Sequence, residues 1–129
     1  MATDTILGVT ARHIDELPDA MGGAVRLLRA GLGLTAFGAQ VMDLPPSFET
    51  PAHDETATGQ QELYVALAGS GAVVFGDDDD RTELDRERVV AVGPSVTRRV
   101  ASGPDGLRVL CIGGTPGKAY EAPGWTEGR

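Results

Sequence analysis

The chain has 129 residues, 41% hydrophobic and 23% charged, a composition that fits one globular domain. Its 19 acidic and 11 basic residues give a formal net charge of −8. With no Lys/Arg cluster and few aromatics, it lacks both the electrostatic and the stacking means of holding nucleic acid.

Taken in chain order, the N-terminus Met1-Ala-Thr-Asp-Thr-Ile-Leu has no basic start leading into a long apolar stretch. It therefore does not read as a secretory signal, and a cytoplasmic location is expected. His13, in Ala-Arg-His-Ile-Asp-Glu, is expected to face solvent. Segment 23–30, Gly-Ala-Val-Arg-Leu-Leu-Arg-Ala, reads equally as a short helix with Val25, Leu27 and Leu28 on one side or as a strand at a sheet edge.

From there 18 glycines and 8 prolines punctuate short apolar runs. That pattern predicts an all-β domain, a sandwich or closed barrel, with strands at 35–44, 62–68, 72–75, 89–92, 95–101 and 107–112. The apolar run 63–68 is far short of the ~20 residues that cross a bilayer. Gly76-Asp77-Asp78-Asp79-Asp80-Arg81 reads as a hairpin tip, because Asp tolerates left-handed turns and adjacent carboxylates need water. These Asp residues lack the alternate spacing of a calcium loop. Cys111, the only cysteine, lies in an apolar run and reads as a buried, inert thiol. The tail after Thr115 carries Pro116 and Pro123 and is expected to be extended, pinned by Tyr120 or Trp125.

Two stretches carry a family likeness. Ser47-Phe-Glu-Thr-Pro-Ala-His53-Asp-Glu55, followed by Glu62-Leu-Tyr-Val-Ala-Leu-Ala-Gly69, resembles the first motif of the cupin superfamily, Gly-x5-His-x-His-x3–4-Glu-x6-Gly. Ser47 stands for the Gly, His53 for the first His and Glu55 for the second. Glu62 keeps its distance to Gly69, across a longer turn from Glu55. The later motif, Gly-x5-Pro-x-Gly-x2-His-x3-Asn, keeps only Pro94: Arg88, Val96, Arg99 and Gly103 replace its Gly, Gly, His and Asn. The resemblance covers roughly residues 33–115 and implies one domain over 1–129, a cupin-type antiparallel β-barrel or jelly roll. Residues 1–32 would form an N-terminal extension and 116–129 a short C-terminal tail.

Strand alternation then sorts the side chains. If Glu62 points inward, so do Tyr64 and Ala66; an inward Arg99 takes Thr97 and Ala101 with it. Arg108 would face solvent and leave Leu107, Val109 and Cys111 inside. The expected lumen is apolar, with His53, Glu55, Glu62, Tyr64, Thr97 and Arg99 as its polar groups, a mixture typical of a small-molecule site.

The resemblance implies a divalent transition metal held by three His and one Glu, and here that set becomes His53, Glu55, Glu62 and Arg99. Arginine has no lone pair to donate. At ~5 Å and an effective dielectric near 20 it would repel a dication by roughly 7 kcal/mol. Arg99 is instead expected to supply the positive charge itself, pairing with Glu62 or with an anionic ligand.

Three functions stay open. One is a metal-poor binding protein for a small organic anion, with Glu55, Tyr64, Thr97 and Arg99 as ligand-binding residues. Another is a metal-dependent enzyme, of dioxygenase or isomerase type, using His53 and Glu62, or a metal-free version with His53 as base and Tyr64 as acid. The last is a silent structural or interaction module with a filled barrel. A homodimer is expected in each, because open sheet edges need cover.

Overall fold

The computed structural model describes residues 4–126. Strands β1 (Asp4–Ile6) and β2 (Val9–Ala11) form a hairpin turned by Leu7 and Gly8, both at positive φ. After β3 (Asp19–Ala20), the ambiguous segment resolves into both of its readings. Val25–Leu27 is a strand, β4, paired with β3, and Leu28–Leu32 a single helical turn, α1, ended by Gly33 in the left-handed region. Then come β5 (Gly38–Leu44), β6 (Gln61–Phe75), β7 (Asp80–Leu84), β8 (Val90–Val92) and β9 (Arg98–Gly114).

These form a seven-stranded antiparallel sheet in the order β3-β4-β5-β9-β6-β7, with β8 on the same flank of β6 as β7, paired to its first half. Each of two pairs of predicted strands is one long strand. β6 and β9 pair along almost their whole length, 15 and 17 residues, with register shifts at Ala66/Ala68 and Gly69/Gly71. The shifts fall where Gly69 adopts φ +74° and its α-carbon lies against the Gly106 carbonyl. A Cβ there would collide with that carbonyl, so the bend depends on glycine.

One half of the β6–β9 ladder carries β5 and β4, and the other carries β7. Leu44 of β5 and Leu84 of β7 nevertheless share one core with Tyr64, Val73, Val100 and Val109. The sheet thus curls over its own inner face as a jelly roll, without closing into a complete barrel. β7 escaped the sequence reading because Asp-Arg-Thr-Glu-Leu is polar on all but one buried position, as suits an edge strand. Its turn, residues 76–79, is the expected acidic hairpin tip. Among the described residues no helix is long and apolar enough to cross a membrane.

Candidate functional site

The ladder register sets what faces inward. Residues opposite one another in an antiparallel pair share a face, so Gly38, Gly113 and Glu62 form one row, and Leu27, Gln40, Cys111 and Tyr64 the next. A third row, Val25, Met42, Val109 and Ala66, lies deeper. Above the first two rows is a cavity of about 400 Å³, largely apolar, with His53, Glu55, Gln60 and Glu62 at its polar end.

Glycines shape that end. A Cβ on Gly38 would run into the Tyr120 ring, and one on Gly113 would stand 2.8 Å from Gln60 Oε1. The tail is therefore more than a surface strap. Tyr120, Pro123, Trp125 and Thr126 build part of the cavity wall, and Arg29 donates to the Thr126 carbonyl at 3.0 Å.

His53 Nε2 lies 3.6 Å from Glu55 Oε2 and 3.6 Å from Glu62 Oε1. Backbone bonds hold this trio. His53 and Arg98 form an isolated bridge, N–H to C=O in both directions at 3.0 and 2.9 Å, and Glu55 N donates to Pro94 O at 2.8 Å. The bridge sends the His53 and Arg98 side chains to the same side. Arg98 Nη2 donates to Glu62 Oε1, which also accepts from Tyr64 Oη at 2.8 Å. The guanidinium, 0% exposed, also donates to Tyr64 Oη at 3.4 Å and to the carbonyls of Gly93 (3.2 Å) and Val96 (2.9 Å).

Charges respond to this packing. The Glu62 carboxylate beside His53 raises the imidazole above its usual range against the opposing effect of burial. Burial alone would raise Glu62, but His53, Arg98 and Tyr64 outweigh it and hold the carboxyl down at about 2. Burial likewise works against Arg98, and Glu62 and Tyr64 reverse it, leaving its pKa raised. Burial, then the nearby Glu62 charge, raise Tyr64.

The structure brings His53, Glu55, Glu62 and Tyr64 together and leaves Arg99 and Thr97 out. Arg99 lies on the outer side of β9, bonded to Glu49 Oε2 at 2.9 Å and Asp79 Oδ1 at 3.1 Å. Thr97 is exposed, its carbonyl receiving Gly76 N at 3.0 Å. The inward cation is Arg98, which sequence reasoning missed. Counting from Pro94 by the family spacing gives the wrong parity, and a slip of one residue exchanges the two faces of a strand. Tyr64, with its hydroxyl committed to Glu62, positions that carboxylate and has no free proton to serve as an acid. Cys111 is buried at the cavity floor with its pKa pushed up by burial, as the inert-thiol reading requires. Arg108 faces outward to Asp43 and Asp15, also as expected.

His53, Glu55 and Glu62 each offer a ligand atom, all within 4.8 Å of one another, so the trio can hold a cation. At Glu62 a dication would have to be met by the other oxygen, Oε2. Both lone pairs of Glu62 Oε1, the oxygen nearest His53, already accept hydrogen bonds, from Arg98 and Tyr64. A metal bound there would also sit beside a buried guanidinium.

No family model matches the chain, and no curated protein matches it in sequence. Solved structures do. A cupin protein from Bacteroides fragilis is 25% identical with a TM-score of 0.64, over 82% of this chain and 87% of its own. An RmlC-like cupin protein from Desulfovibrio desulfuricans is 20% identical (TM-score 0.59), over 88% and 95%. A Cupin 2 conserved barrel domain protein from Salinispora arenicola is 14% identical (TM-score 0.60), over 71% and 75%. Jelly-roll topology, the inward His53 and Glu62 and these neighbours lead to one conclusion: the chain belongs to the cupin superfamily.

Proposed function

We propose that this cupin binds a small organic molecule in its 400 Å³ cavity without a resident metal. The observation that carries the reading is Arg98: the positive charge at the site comes from a buried side chain already paired with Glu62. The apolar walls would take the body of the ligand, and His53 and Glu55 would meet its polar end. Arg99, on which an anionic ligand rested, faces away. An anionic head would meet the carboxylates of Glu55 and Glu62, so a neutral or cationic polar group fits better. A cavity of this size, within the ~300–1,000 Å³ of small-molecule sites, also favours a ligand over a filled, silent barrel.

A second reading, a metal-dependent enzyme, is favoured by the His53/Glu55/Glu62 cluster. It requires Glu62 to give up Arg98 or turn its other oxygen to the ion. Elemental analysis with a melting series in Mn, Fe(II), Ni, Cu and Zn separates the two. Absence of metal and of any shift is expected; about one metal per chain, lost in His53→Ala, would overturn the metal-free reading.

The same proposal includes a homodimer. Leu63 and Val65 of β6 pair with Ile112 and Leu110 of β9 as a half-exposed apolar strip on the outer face, which suits a second copy of the chain. A monomer mass by light scattering would remove it.

A further inference from the structure

Gln60, the residue just before β6, is 7% exposed and lines the cavity. Its backbone N–H is satisfied by Thr58 Oγ1 at 3.3 Å, whereas its side-chain amide makes no hydrogen bond among the described residues. Nor is that amide sealed away by packing. Its oxygen lies over the bare face of Gly113, in the row that includes Glu62 and opens on the cavity. The amide is open to water only through the cavity, so a ligand that displaces that water must replace its hydrogen bonds or lose affinity.

We infer that Gln60 reads the ligand, and that the ligand carries a neutral cis-amide group: a lactam, a cyclic imide or a pyridone-type ring. The inference rests on the cavity being a ligand site. A carboxamide presents one acceptor and one donor side by side, and the group that satisfies both is an N–H next to a C=O. A carboxylate would use only the donor and set its charge against the amide oxygen, Glu55 and Glu62. An alkane would displace water from the amide and replace none of its hydrogen bonds. Gly113 belongs to the same device, because its lack of a side chain leaves room for the amide over the sheet.

The test is calorimetric titration of the full chain with three probes of one shape: 2-quinolinone, N-methyl-2-quinolinone and naphthalene. Binding of 2-quinolinone about tenfold tighter than its N-methyl analogue is expected, with the difference abolished by Gln60→Leu. Gly113→Ala keeps Gln60 but puts a methyl where its oxygen lies, and should reduce the preference in the same direction. That variant and the wild-type probe ratio remain decisive if Gln60→Leu fails to fold. Equal affinities for 2-quinolinone and its N-methyl form in the wild type would overturn the inference, as would a preference that survives Gln60→Leu. Naphthalene binding while neither quinolinone does better overturns the inference alone. Failure of all three probes to bind overturns the inference and counts against the cavity as a ligand site.

Discussion

Arg98 and Arg99 are neighbours on β9 and lie in different environments. Arg98 points into the jelly roll and is wholly buried between Glu62, Tyr64 and two carbonyls. Arg99 points out to Glu49 and Asp79, both largely exposed. Both are charge-assisted pairs with short contacts, so a count of salt bridges would score them alike. Their surroundings separate them: a buried partner left alone is left in low dielectric, whereas an exposed one returns to water.

Three substitutions measure how far the buried and exposed faces differ. The largest effect is expected for Arg98→Met, which strands the Glu62 carboxylate and should cost about 3–5 kcal/mol in urea unfolding. Adding Glu62→Gln removes the stranded charge while keeping an acceptor for Tyr64, and should recover much of that loss. No recovery would mean that Arg98 acts mainly by bracing the Gly93–Val96 turn.

A smaller effect is expected at His53, whose raised pKa gives a stabilisation present below about pH 6.5 and lost as pH rises through the raised value. The melting temperature of His53→Gln should therefore depend less on pH across that window than the wild type. Parallel curves would detach His53 from Glu62. Glu62 behaves in the opposite sense, its contribution present above its ordinary 4.5 and lost only as pH falls toward about 2. Least is expected of Arg99→Ala: a slight loss at low salt that disappears at high salt. A loss rivalling that of Arg98→Met would remove the distinction between the two faces.

Much of this was legible in the chain. The inward row Glu62, Tyr64, Ala66 follows from strict alternation along β6, and the inward Leu107, Val109 and Cys111 from the same logic on β9. Period-two patterning is a local signal, and it survives wherever the strand is regular. It fails across turns. Pro94 to Arg98 is a tight bend braced by the Arg98 side chain itself, and no residue before the strand announces which of two adjacent arginines turns inward.

The sequence suggests a pinned tail but not its role as cavity wall, because Tyr120 meets Gly38 across 82 positions of sequence (120 minus 38). Gln60 gave no signal at all. A polar residue before a strand looks like loop until the cavity beside it is seen.

Gly38 and Gly113 have a consequence beyond the ligand proposed above. The ladder bonds of both are ordinary β pairs, and neither residue lies at positive φ. Substitution at either position would change the bore of the cavity while leaving the backbone of the jelly roll as it is. A methyl at one would push on the tail, and a methyl at the other would push on the Gln60 amide. On the proposed reading of the cavity as a ligand site, filling either of these two missing side chains would alter which ligands fit, so positions 38 and 113 are where a change of specificity should first be sought.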